Sequence, residues 1–159
     1  MKDRHTPNEG AIGTIQHEGK FYYARLLKAP ILGVYAKVFS APLARPLLPK
    51  LADLPFAFQV PIRVGVIGKG KFEIVEKVPL LHSDIDAMQP LFKQEIGDPS
   101  DCFLLYPNGE KKKVTPEECI GVEALAVWEF THILWGIDRD FNGIPNPTLD
   151  YLKVKLPKK

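Results

Sequence analysis

Cysteine is scarce in this sequence: Cys102 and Cys119 are the only two among 159 residues. That is too few for the disulfide framework of a small secreted domain. We read them as two reduced thiols of a cytoplasmic protein, although their spacing does not report whether they come within bridging reach. No stretch approaches the roughly 20 consecutive apolar residues that cross a bilayer. Charge of one sign is also scarce, since 21 Lys and Arg face 19 Asp and Glu for a formal charge of +2. Binding to a phosphate backbone needs a far denser basic surface, so nucleic acid is not the first partner to consider. His5, His17, His82 and His132 are isolated, with no His-x-x-x-His and no Cys-x-x-Cys, so neither a zinc site nor a cofactor motif is written in contiguous sequence. No repeat or low-complexity tract appears.

A composition of 45% apolar and 25% charged residues is that of a soluble globular chain, and the length suits one domain with a real core. The opening Met1 to Gly10 lacks an apolar segment, so it reads as a loose arm rather than a secretory signal. The domain is expected over residues 11–156, followed by a basic end at 157–159.

The apolar pattern is that of strands. Ile12 to Gln16, Lys20 to Leu27 and Ile31 to Phe39 are rich in β-branched and aromatic residues, and Glu18-Gly19 and Ala29-Pro30 separate them. Pro42, Pro46, Pro49 and Pro55 make Ser40 to Pro55 a surface excursion with neither helix nor central strand. From Phe56 to Val66 apolar residues take every second position, and Lys71 to Val78 resumes after Gly68-Lys69-Gly70. This pattern predicts a central hairpin from Leu54 to Leu80.

His82 to Asp101 reads as a loop with one helical turn. Cys102 to Tyr106 and Glu110 to Val114 form a hairpin about Asn108-Gly109. Thr115-Pro116-Glu117-Glu118 is a capping box that starts a short helix, which Gly121 ends. For Val122 to Trp128 periodicity admits either strand or helix. A helix capped by Thr131 would place Ile133, Leu134, Ile137 and Phe141 on one face and stop at Asn142-Gly143. Alternation at Leu152, Val154 and Leu156 predicts a last edge strand. The fold class is therefore a β-rich α+β domain: a curved antiparallel sheet or partly closed barrel of six to eight strands, with short helices toward the C-terminus.

Several motifs invite chemistry and fail on spacing. Asp138-Arg139-Asp140-Phe141-Asn142-Gly143 copies the first half of an EF-hand loop, but its twelfth position is Leu149, and Pro145 and Pro147 interrupt the second half. Gly68-Lys69-Gly70-Lys71 lacks the phosphate-loop spacing and precedes a strand. Asp84 and Asp86, with His82 beside them, are a thin basis for hydrolysis, and neither cysteine has a histidine next to it in sequence. Aromatics are the best anchors for a protein interface, and here they are Trp128, Trp135, Tyr22, Tyr23 and Tyr35. The alternative, a small nucleic-acid-binding or adaptor barrel, would use Phe21, Tyr22 and Tyr23 as a stacking platform flanked by Lys20, Arg25 and Lys111 to Lys113.

Gly19 to Leu26, then Phe56 to Val60 with Lys71 to Val75 and Val78-Pro79-Leu80, then Thr115 to Cys119, Gly121-Val122-Glu123 and Ala126-Val127-Trp128 follow one another in an order that resembles the immunity protein 26 family of bacterial polymorphic toxin systems. The resemblance spans roughly Gly13 to Gly143 and is that of a divergent member. Phe72 stands where the family has Trp, Glu76 where it has Gly, and an Arg-Leu pair is missing near Gly136-Ile137. It implies a non-catalytic binding protein that neutralises a cognate toxin domain. The residues singled out for partner contact are Tyr22, Tyr23, Arg25, Asp84, Asp86, Glu123 and Trp135. Glu123, set between apolar neighbours, reads as either a buried structural acid or a contact.

Overall fold

A computed structural model describes residues 9–156. The first two strands, β1 (Ala11–His17) and β2 (Lys20–Leu26), form a hairpin on a two-residue turn in which Glu18 and Gly19 both take positive φ, 51° and 75°. That backbone matches the twist of the paired strands. Across the cis Ala29-Pro30 peptide the chain returns as β3 (Ile31–Phe39), antiparallel to β2.

The central hairpin expected from the alternating pattern does not form. Its two halves are β4 (Phe56–Pro61) and β5 (Glu73–Lys77), which lie at opposite edges of a five-stranded sheet of order β4-β3-β2-β1-β5. Alternation specifies which face a side chain takes, not which strand lies alongside. The intended turn survives locally, where Ile67 bridges Phe72 and Phe72 N donates to Val66 O at 3.1 Å. Val64–Val66, expected to be strand, is one turn of 3₁₀ helix. Phe72 is fully buried with its ring against Gly13, where a Cβ would come within 2.6 Å of it. A bulge between Ile12 and Gly13 breaks the register of β5 on β1, and Ile74, expected to face inward, is 40% exposed.

Both faces of this sheet are covered. One carries Ile15, Tyr22, Ala24, Leu32, Val34, Phe58 and Val60 under Trp128, Ile133 and Ile137. The other carries Ile12, Tyr23 and Tyr35 under Leu48 and Leu51. Leu48 and Leu51 belong to a 3₁₀ helix, Arg45–Asp53, inside the stretch expected to hold no helix. Pro46 occupies its first turn, where no amide donor is needed, and a three-residue period puts both leucines on one side.

The loop expected over His82 to Asp101 holds α1 (His82–Asp86) and also β6 (Leu91–Gln94), a strand too short for an alternating pattern to show. Next come β7 (Cys102–Leu105) and β8 (Lys111–Val114), the hairpin expected about Asn108-Gly109. Together they form a second antiparallel sheet of order β6-β7-β8. The exposed Lys111, Lys112 and Lys113 line its outer strand, where charge discourages edge-to-edge pairing.

Thr115 caps a 3₁₀ turn, Pro116–Cys119, through reciprocal bonds with Glu118. The ambiguous Val122 to Trp128 stretch is neither helix nor strand. It is an extended connector that bridges Phe92 at Ala124 and Ile62 at Trp128, and so ties the two sheets together. Then α2 (Phe130–Asn142) begins one residue before Thr131, with the Glu129 amide donating to His132 Nδ1 at 2.9 Å. It ends at Gly143 in the left-handed region. The last expected strand is absent: Asn146 caps α3 (Pro147–Tyr151), and the Gln94 side-chain amide stands in for a strand partner by bonding both backbone groups of Lys155.

The described residues thus form an α+β, strand-rich domain of eight strands in two antiparallel sheets, with short helices and no closed barrel. Glu9 and Gly10, assigned by the sequence to a loose arm, are fastened to it: Gly10 N donates to Leu26 O at 2.7 Å, and Glu9 accepts from Ala29 N at 3.0 Å. The rest of that arm, residues 1–8, and the basic end at 157–159 lie outside the described residues.

Cys102 and Cys119 are free, fully buried and packed in one small core with Phe92, Leu104 and Val114. Burial pushes both thiols up, and the Cys102 sulfur adds to the effect at Cys119, which reaches about 11. An unfolded thiol ionises from its ordinary value of 9.0 while the folded Cys119 stays protonated. Stability is therefore expected to fall as pH rises from about 9 toward 11. Urea unfolding across this window should show a shallower loss for Cys119→Ala than for the unaltered chain, and both thiols should resist alkylation until the chain unfolds.

Candidate functional site: a polar cleft at the β4 edge

Arg25 sits near the end of β2, on the face opposite Tyr22 and Ala24, and only 2% of it is exposed. Its Nη2 donates to Val78 O at 2.9 Å and Pro79 O at 3.2 Å, and its Nε donates to Gly10 O at 3.4 Å. Its third nitrogen, Nη1, lies 3.7 Å from Asp84 Oδ2. That is an ion pair without a hydrogen bond. Asp84 is held by α1, where the same oxygen accepts from Leu81 N at 2.8 Å.

Beside them the buried Tyr35 hydroxyl has no hydrogen-bond partner. Burial pushes its pKa to about 12, against the lowering effect of the Arg25 guanidinium. The Tyr35 ring stacks on Phe56 at 4.7 Å.

Arg25 and Asp84 line a cleft of about 520 Å³ together with Phe56, Ala57, Phe58, Gln59, Met88, Gln89 and the Gly121–Glu123 stretch. Gln59 spans it, its Oε1 accepting from Gln89 N at 3.0 Å. Glu123 closes the far side, 2.8 Å from Arg139 Nη2, while Arg139 also donates from Nε to Asp140 at 2.8 Å. Burial works against the Arg139 charge, but Asp140 and Glu123 outweigh it and hold the pKa above its ordinary value. The guanidinium lies 5.7 Å from the Phe58 ring and 5.9 Å from Trp128.

Three of the seven residues singled out from sequence therefore meet in one cleft: Arg25, Asp84 and Glu123. Glu123 is half-buried, paired with Arg139, and forms a wall of the cleft. The remaining four do not join it. Asp86 is exposed on α1, and Trp135 packs against the main core with its ring edge-on to His132. Tyr22 and Tyr23 are buried on opposite faces of the sheet, Tyr22 against Phe141 and Tyr23 with its hydroxyl accepting from Leu43 N at 2.8 Å. Neither tyrosine offers a surface anchor, because consecutive strand residues point apart and both faces are covered.

The same burial removes the stacking platform of the alternative reading, and Lys111 to Lys113 stand on the other sheet. Trp128 and Tyr35 are likewise core residues rather than interface anchors. His82 and Asp86 do not line the cleft, so the arrangement imagined for hydrolysis is not assembled there. In the half EF-hand, Asp138 accepts from His17 Nε2 at 2.9 Å and Asn142 Nδ2 at 3.0 Å, and no group of three metal-ligating side chains occurs among the described residues.

Gln59 is a cleft residue to which sequence reasoning assigned no site. The available signal was Gln59 itself, a polar side chain between Phe58 and Val60 in an otherwise apolar run. No helix among the described residues is long and apolar enough to cross a membrane. No family model, curated protein or solved structure matches this chain.

Proposed function

We propose that this protein is a non-catalytic immunity protein of the cytoplasm, which neutralises a cognate bacterial toxin domain by stoichiometric protein–protein binding. The observation that carries the reading is an apolar concavity of about 320 Å³ where the two sheets meet, lined by Pro30, Ile31, Pro61, Leu105, Leu125 and Val127. Val127 is 53% exposed there, and Val64, flanking a hollow that shares Ala29 and Pro30, is 67% exposed. Contiguous exposed apolar surface of this kind is what a protein partner covers. The resemblance in sequence order points to the same class.

Neutralisation needs no reacting group. A standard interface buries about 800 Å² on each partner, enough to occlude a toxin's working face. The acidic stretch from α1 to the start of β7, with Asp84, Asp86, Glu95, Asp98 and Asp101 against Lys93, would steer a basic partner into place.

The test is co-expression with the toxin domain encoded beside this gene, read as growth. Rescue is expected, and its absence with every neighbouring toxin domain contradicts the proposal. Val127→Glu should weaken the complex by about tenfold or more, because it places an unpaired charge in an apolar contact. Its thermal midpoint should stay within about 2 °C of the unaltered chain, since exposed substitutions cost little stability.

A further inference from the structure

The cleft is wedge-shaped because the extended connector is fastened to β4 at one end only. There, Trp128 N donates to Pro61 O at 2.8 Å and Arg63 N donates to Trp128 O at 3.1 Å. Toward the other end the two segments separate, and Ala57 and Gln59 face Gly121, Val122 and Glu123 across open space. A strand sends the backbone groups of successive residues to alternate sides. Ile62 N bonds Pro30 O on the β3 side, and Pro61 O bonds Trp128 on the other. The N–H and C=O of Gln59 therefore point as Pro61 does, away from β3 and into the wedge. This is an unpaired stretch of sheet edge between two walls, the geometry in which an added strand finds backbone partners.

The charge of the wedge points to an occupant. Arg25 Nη1 has only the 3.7 Å approach of Asp84. The ionisable groups lining the wedge are one cation and two carboxylates, Arg25 against Asp84 and Glu123. The cation is 2% exposed and bonded to carbonyls, whereas each carboxylate is 27% exposed. Glu123 is engaged by Arg139, so an incoming segment meets the negative charge of Asp84. The wedge also continues past Ala57 and Glu123 into a second concavity of about 650 Å³ reaching Arg139 and Lys153. Length is therefore available for several extended residues at about 3.3 Å each.

We propose that the wedge receives an extended peptide segment of the partner protein, paired edge-on with β4 at Gln59, with a lysine or arginine side chain reaching Asp84. This rests on the reading of the protein as a toxin-binding module and adds how the toxin is held.

The test is selection from a phage-displayed library of random octapeptides against the full chain. Enriched peptides should carry Lys or Arg at one fixed position with β-branched residues alternating around it. A synthetic copy should bind Asp84→Asn and Gln59→Pro at least tenfold more weakly, with thermal midpoints checked in parallel. If Gln59→Pro fails to fold, hydrogen exchange supplies the second readout: the Gln59 amide of the unaltered chain should become protected when the peptide binds. No enrichment, enriched acidic peptides, or peptides that leave Asp84→Asn binding and Gln59 exchange unchanged would each overturn the proposal. Success here with failed growth rescue removes the toxin and keeps the wedge. Rescue that Asp84→Asn and Gln59→Pro leave intact removes the wedge and keeps the toxin.

Discussion

Arg25→Ala is expected to lower the free energy of unfolding by about 3–5 kcal/mol, the range for breaking a buried charged network by removing one partner. The guanidinium alone joins β2, the entry to β1 at Gly10 and the exit from β5 at Val78 and Pro79 among the side chains of the described residues. Truncation takes the Arg25 donor from the Val78 and Pro79 carbonyls, while Gly10 O keeps Val78 N, in a place where the Tyr35 hydroxyl already lacks a partner. It also leaves Asp84 beside a hole. Arg25→Lys should recover little, since one ammonium cannot serve three carbonyls in the fixed fork of a guanidinium. Arg25→Met should fall between, keeping the packing of the stem without the donors. For a domain of this size about 2–4 °C is lost per kcal/mol, so the alanine variant should melt roughly 10 °C lower. Urea unfolding with tryptophan fluorescence measures all three.

Trp128→Ala should cost a similar amount, about 3–5 kcal/mol, the range for deleting a large buried aromatic. Trp128 is 2% exposed, tilted against Phe58 at 5.5 Å and close against Gly136 of α2. A Cβ at Gly136 would stand 2.8 Å from the indole and 3.0 Å from the Phe58 ring. Gly136 is therefore glycine for room, not for backbone freedom, and Gly136→Ala should itself cost about 1–3 kcal/mol by overpacking. The two are coupled. Gly136→Ala combined with Trp128→Phe, which withdraws the ring edge, should cost less than the sum of the separate changes in a double-mutant cycle. Additive costs would mean that the helix and the indole do not compete for this space.

Much of the fold was legible because its signals are local. The Glu18-Gly19 turn, the Asn108-Gly109 turn, the Thr115 capping box and the Gly143 stop all depend on residues within a few positions of each other, and all four form. What failed depended on partners far along the chain. Phe56 to Pro61 reads as strand and is strand, but β1 to β3 already form a sheet with two free edges, and each half of the expected hairpin takes one of them. The final alternation at Leu152, Val154 and Leu156 follows a helix that ends at Tyr151 and meets the Gln94 side chain rather than a strand.

The cleft was half legible for the same reason. Arg25, Asp84 and Glu123 were noticed singly as charged residues, and only the fold brings together β2, α1 and the connector that carry them. Tyr22 and Tyr23 misled because a run of adjacent aromatics resembles a platform until both sheet faces are found covered.

The central proposal is that this chain works by holding a toxin domain, and calorimetric titration of the purified chain with any toxin domain encoded beside its gene tests it most directly. A one-to-one complex with a dissociation constant of about 1 μM or tighter is predicted, within the range of specific interfaces of standard size. An absence of heat, together with separate elution of the two proteins from a sizing column, would contradict it.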